Sequence, residues 1–186
     1  IGAEDRRDGF NSAAIYQDHI FIAGYKETQK DVIDRFLTKV RLQDGKVIWS
    51  RSFPSKNQKS SSAFESVILT SENGILLTGV TNSDYEEIEG FKSYGNPSGG
   101  NAFSMYFSQE KITSDSAPNT PNWEKEYKNS VSGKSVKEIP DTGQFVIATS
   151  TPEPMVATVL KISKNGNLLW EKKYPEHGEI TDIAVT

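Results

Sequence analysis

Four carboxylates crowd one short stretch of the sequence, at Asp84, Glu86, Glu87 and Glu89. Hard cations such as Ca²⁺ take several oxygen ligands, which makes these four the candidates for a metal site. They lack the spacing of an EF-hand loop or of a glycine–aspartate nonapeptide, and composition alone produces solvated acidic loops of this kind. No metal and no other cofactor is therefore assigned. Tyr85, among the acids, and Phe91 and Tyr94, just after them, offer ring faces that could stack on a sugar or a peptide. They are the candidate ligand-binding residues. The glycine-rich run at 90–100 lacks the Gly-Lys-Ser/Thr ending of a phosphate cradle and does not open a helix.

Catalytic chemistry finds little else to use. The absence of cysteine removes thiolate nucleophiles, thiolate zinc sites and disulfides together. The two histidines have no partner at ligand spacing: His19 follows Asp18 at a predicted turn, and His177 lies in a Pro-Glu-His-Gly loop. No Gly-x-Ser-x-Gly elbow is present. No catalytic residue is assigned, and the chain is expected not to be an enzyme.

Among the 186 residues, charged ones make up 25% and the net charge is −4, without the basic run that a phosphate backbone attracts. Nucleic acid is not an expected partner. No apolar run approaches the ~18–20 residues that span a bilayer. The chain begins at Ile1 without a recognisable signal segment, which reads as a processed or partial sequence.

What organises the sequence is repetition. Asn165-Gly166-Asn167-Leu168-Leu169-Trp170-Glu171-Lys172-Lys173-Tyr174 has two earlier relatives, Trp49-Ser50-Arg51-Ser52-Phe53 and Trp123-Glu124-Lys125-Glu126-Tyr127. Trp49, Trp123 and Trp170, the structural repeat residues, are all the tryptophans of the chain. The intervening bases Arg51, Lys125 and Lys172 are expected to face solvent on an outer edge. Short runs rich in Val, Ile and aromatics, cut by Gly, Asn, Asp and Pro, read as strands and turns. Asp44-Gly45, Glu72-Asn73-Gly74 and Asp141-Thr142-Gly143 mark hairpins. The second strands of the three copies, 21–25, 76–80 and 146–150, are small at their third and fourth positions. That allows either close approach of a neighbouring sheet or a bulge. Val32, Ile33, Phe36, Leu37 and Val40 have helical spacing, and only the repeat alignment makes the second half of 31–40 a strand. Ser83 and Glu86 have capping-box spacing, consistent with one helical turn through Ile88.

Four short antiparallel strands per unit, recurring along the chain, is the pattern of an all-β architecture of β-propeller blades. In this reading blade 1 spans about 8–53, blade 2 about 62–127 and blade 3 about 133–174, with 179–186 as the first strand of a fourth. The three tryptophan copies, Glu72-Asn73-Gly74-Ile75-Leu76-Leu77-Thr78-Gly79 and Asp141-Thr142-Gly143-Gln144 resemble the tandem-repeat propeller proteins of bacterial surfaces. More distantly, Gly45-Lys46-Val47-Ile48-Trp49 is similar to the tryptophan-docking stretch of quinoprotein-type propellers, a family with both dehydrogenases and a non-catalytic lipoprotein. The first resemblance implies a non-catalytic scaffold or binding module, extracellular, periplasmic or at the cell surface. Its protein or glycan ligand would bind the rim formed by 26–35, 82–100 and 151–154 with 54–62, 128–134 and 175–178. The alternatives are a propeller enzyme, quinoprotein-like or carbohydrate-active, and a structural subunit of a surface assembly or filament. Three blades and a strand fall short of the about 4–8 that close a ring. The expected partners are therefore remaining blades of the same polypeptide or other chains.

Overall fold

The computed structural model describes residues 7–30, 32–54, 60–83, 86–88, 91–93, 100–151 and 154–186, with backbone alone at 82–83, 86–88 and 91–93. The chain is all-β, built of three four-stranded antiparallel sheets. Sheet 1 runs β1 (Asp8–Tyr16), β2 (His19–Gln29), β3 (Val32–Arg41) and β4 (Val47–Phe53) in that order. In sheet 2, β5 (Ser61–Leu69) and β6 (Ile75–Ser83) precede a two-stranded ribbon of β7 (Glu86–Ile88) and β8 (Phe91–Ser93). The sheet resumes with β9 (Asn101–Phe107), passes the short helix α1 (Gln109–Thr113), and ends at β10 (Trp123–Tyr127). Sheet 3 is β11 (Ser135–Ile139), β12 (Gln144–Ser150), β13 (Ala157–Ile162) and β14 (Leu168–Tyr174).

The turns form where the residues tolerate left-handed backbone. Gly45 and Gly166 take φ of +71° and +76°, whereas in the 72–74 turn it is Asn73, at +60°, that bends rather than Gly74. All of 32–41 is strand. Val32, Phe36 and Val40 fall on one face and Ile33 and Leu37 on the other, and both faces are buried. A strand covered on both sides loses the alternation that would have distinguished it from a helix. The expected helical turn through Ile88 is instead β7, because Glu86, Glu87 and Ile88 pair with Ser93, Lys92 and Phe91 of β8. The helix that does form, α1, lies in the insertion at 109–122.

Both explanations offered for the small residues of the second strands operate. A Cβ on Gly24 would lie 2.0 Å from the Gly9 carbonyl, and one on Gly79 2.0 Å from that of Ala63. At both places the first strand bulges over the glycine, with register shifts at Phe10/Ser12 and Phe64/Ser66. From sheet 3, Gly133 also approaches Gly79, its N–H donating to the Gly79 carbonyl at 2.9 Å. Sheet 3 has Thr149 at this position, and the β11–β12 ladder runs without a shift.

Each core lies between consecutive sheets. One packs Phe21, Ala23, Leu37, Trp49 and Phe53 of sheet 1 against Phe64, Leu77, Phe103, Met105 and Phe107 of sheet 2. The other packs Leu76, Ala102 and Tyr127 of sheet 2 against Val136, Phe145, Ile147, Leu160 and Ile162 of sheet 3. Phe53 reaches across with ring centroids 6.0 Å from Phe64 and 5.5 Å from Phe107. Trp, base and aromatic stand two residues apart on β4, β10 and β14, which puts all three on one face. Arg51 accordingly lies over Phe53 and donates to Asn119 Oδ1 at 2.7 Å, and the Lys125 stem flanks Gly166. Arg51 is half-buried, whereas Lys125 and Lys172 are exposed, as expected of bases on an outer edge.

The first strands lace together through polar groups. Asn11 Nδ2 donates to the Phe64 carbonyl at 2.7 Å, and Val67 N–H donates to Ser12 Oγ at 3.1 Å. Between sheets 2 and 3, both Ser71 N–H and Ser71 Oγ donate to Glu138. The expected fourth first strand, 179–186, pairs in no ladder and is irregular. It still takes the corresponding lane, since Ser135 Oγ donates to Asp182 Oδ1 at 2.5 Å and Lys137 lies 3.8 Å from the same oxygen.

Two measurements follow from this packing. Gly79→Ala drives a methyl group into the Ala63 carbonyl and should cost about 1–3 kcal/mol in urea unfolding; a change within error would contradict the bulge contact. Burial pushes the Glu65 carboxyl up from its ordinary range, with Lys134 opposing. A carboxyl with a raised folded pKa favours folding below its unfolded pKa, and that contribution is lost as pH rises through the folded value. Glu65→Gln should therefore stabilise the protein at pH 7, by on the order of 1 kcal/mol, and change little at pH 4. Equal effects at both pH values would contradict this.

Candidate functional site

The end of the sheets at which β6 runs into the β7–β8 ribbon gathers the loops expected to carry recognition. Ser61 pairs with Ser83 there, placing the entry to β5 beside the 82–100 insertion. Ser130 and Ser150 join the same end through backbone bonds, Ala102 N–H to Ser130 O at 2.6 Å and Val131 N–H to Ser150 O at 2.8 Å.

This end is rich in buried hydroxyls that the fold leaves open. Ser61, Ser62, Ser130, Ser132 and Thr149 are buried, and none of their hydroxyls has a hydrogen-bond partner among the described residues. At the same end of sheet 1, both carboxylate oxygens of Asp8 are buried without a partner there. Buried polar atoms are nearly always satisfied, by protein or by ordered water, because an unmade bond costs about 1–3 kcal/mol. A hydroxyl both donates and accepts, so the set suits a neutral polar ligand or a chain of waters.

Arg35 stands beside this region and is fully committed to structure. Its Nε donates to the Phe53 carbonyl at 3.1 Å, Nη2 to the Pro54 carbonyl at 3.0 Å, and Nη1 to Glu124 at 2.8 Å. The guanidinium lies 4.6 Å from the Phe103 ring centroid. One cation thus ties sheet 1 to sheet 2, its three donating nitrogens each on a separate acceptor and its guanidinium over a ring, a geometry that suits arginine over lysine. A base inside an apolar strand, between Asp34 and Phe36, was the signal available for it in sequence.

At the opposite end the tryptophans mark the sheet junctions. Trp49, 7% exposed, donates from Nε1 to the Ser114 carbonyl at 3.3 Å. Lys39 joins it, its ammonium donating to the Thr113 and Ser114 carbonyls at 3.2 and 3.1 Å, just where α1 ends. Burial pushes the Lys39 pKa down, with Asp115 and Asp18 opposing. Trp123 stacks on Tyr106 at 5.8 Å and lies against Gly166. Tyr127 donates to the Gly166 carbonyl at 3.1 Å and also bonds to Ser104 Oγ; its burial pushes the phenol well above its ordinary range. Trp170 is 44% exposed.

Of the candidate ligand-binding residues, Tyr85 and Tyr94 lie outside the described residues, and Phe91 is placed by backbone in β8. Of the candidate metal ligands, Asp84 and Glu89 lie outside them, and Glu86 and Glu87 are placed by backbone in β7. Among the described residues no three His, Asp or Glu side chains converge as metal ligands. His19 Nδ1 lies 2.7 Å from Asp18 at the β1–β2 turn. His177 closes a turn through its backbone N–H to the Tyr174 carbonyl at 3.0 Å. The five open hydroxyls carry no signal in the sequence, since Ser and Thr at strand ends look like ordinary turn residues.

No helix among the described residues is long and apolar enough to cross a membrane. The sequence matches no family model and no curated protein. Among solved structures it is similar to a protein of unknown function from Bacteroides caccae, at 8% identity and a TM-score of 0.30 over 97% of this chain and 86% of that one.

Proposed function

We propose that this chain is a non-catalytic binding module of the β-propeller type, acting outside the cell, in the periplasm or at the cell surface. It takes a protein or glycan ligand at the loop-built end where β6 meets the 82–100 insertion. The observation that carries this reading is the set of buried Ser and Thr hydroxyls toward that end without partners among the described residues. Sugars and peptide backbones offer the mixed donors and acceptors that such hydroxyls need. Long loops standing on rigid sheets are where proteins usually carry recognition. The aromatic residues of the insertion, Tyr85, Phe91 and Tyr94, are the proposed anchors.

A glycan array followed by a screen against extracellular proteins identifies the ligand class. Replacing Tyr85, Phe91 and Tyr94 together by alanine should weaken binding at least roughly tenfold. The unfolding free energy should stay within about 0.5 kcal/mol, as for surface substitutions generally. Unchanged affinity in the triple variant contradicts the site, and the absence of any glycan or protein ligand contradicts the function.

A further inference from the structure

The two sheet junctions repeat one contact. From sheet 1, Trp49 and Lys39 reach the connection between the third and fourth strands of sheet 2, at Thr113 and Ser114. From sheet 2, Trp123 lies on the connection between the third and fourth strands of sheet 3, at Gly166. A Cβ on Gly166 would come within 2.5 Å of the indole, so the seat must be glycine.

Both halves of this contact are left over, at opposite ends of the stack. Trp170 and Lys161 stand directly opposite each other on β14 and β13, as Trp49 and Lys39 do on β4 and β3. The same register shift follows both pairs, at Lys161/Ile162 and at Lys39/Val40. Yet the Trp170 indole is exposed. In sheet 1 the corresponding seat is the 42–46 turn, where Gly45 has φ of +71° against +76° for Gly166. Nothing lies within 4 Å of a Cβ built on Gly45. The exposed large apolar side chains follow the same division. Phe10, Ile15, Leu42 and Val47 are on sheet 1, and Met155, Leu168, Leu169, Trp170 and Tyr174 are on or beside sheet 3. Among the described residues only Leu69 belongs to the middle sheet.

We propose that a second copy of this chain docks head to tail, seating Trp170 and Lys161 of one copy on the Gly45 turn of the next. The knob and its seat are on one polypeptide, in the geometry that the Trp123–Gly166 junction already uses, so a copy supplies the complementary surface without adaptation. The inference rests on this repeated contact and is independent of the ligand proposed above. Residues 179–186 hold the lane beside β11 that the incoming β1 needs, but they are largely exposed and lack a backbone ladder. Their hold on sheet 3 includes the bond from Ser135 and the ion pair with Lys137. A strand that arrives already paired to β2 displaces them. The contact is heterologous, so association continues past the dimer into rings or filaments.

Light scattering and sedimentation across a concentration series test this on the whole chain. The mass of wild type should rise past two copies. Trp170→Ala removes the knob. Gly45→Asn fills the seat with a residue that tolerates the left-handed turn. Each variant alone should associate at least roughly tenfold more weakly, with unchanged circular dichroism because both positions are exposed. An equimolar mixture of the two should form dimers and stop there, since one retains the seat and the other the knob. A wild type that stays monomeric, variants that associate like wild type, or a mixture that fails to pair would each overturn the proposal.

Discussion

Everything in this chain depends on sheets covering one another's faces. A four-stranded sheet has two surfaces and cannot bury both by itself, and here neither core lies within a single sheet. The aromatic groups that supply most of the volume, Phe53, Phe64, Phe103, Phe107 and Tyr127, reach from one sheet to the next. At the junctions this burial is oriented by directional bonds. Tyr127 meets the Gly166 carbonyl, Trp49 and Lys39 meet the carbonyls at the end of α1, and Arg35 spans from Phe53 to Glu124. Apolar contact supplies the driving force, which has no direction, and these bonds select one rotation and one spacing between the sheets.

The polar seam along the first strands serves the same end at lower density. Asn11, Ser12, Glu138 and Asp182 occupy edges that would otherwise present unpaired backbone or charge. Glu65 is the costly member of this row, partly buried and opposed by Lys134 alone among the charges that shift it. Such a residue weakens the fold slightly while keeping the inner edge polar.

The architecture is largely legible in sequence because its signals are local and repeated. Turn glycines, short β-branched runs and the recurring tryptophan each mark a position that the geometry demands. Legibility fails where the third dimension supplies the reason. The 32–41 segment looks helical because its strand is covered on both sides, which no window of sequence reveals. Ser83–Ile88 has a capping pattern, but β8 offers β7 a pairing partner. Of the bases between the aromatics, Lys125 and Lys172 are solvent-exposed as read, whereas Arg51 is half-buried over Phe53 and bonded to Asn119. The candidate site is the least legible part. Tyr85, Phe91 and Tyr94 are visible as aromatic residues in a long loop, whereas the open hydroxyls of Ser61, Ser62, Ser130, Ser132 and Thr149 become conspicuous only once burial and bonding are known.

If stability resides in the junctions, it must vary from sheet to sheet, because only sheet 2 has a described sheet on each face. Repeat arrays draw much of their stability from neighbour interfaces, and hydrogen exchange resolves such differences along a chain. Native-state amide exchange under low denaturant is the most direct measurement. The account predicts that amides of β6 and β9 exchange last, by global opening, while those of β13 and β14 exchange earlier through local opening of sheet 3. Uniform protection across the three sheets, or slowest exchange in sheet 3, would contradict it.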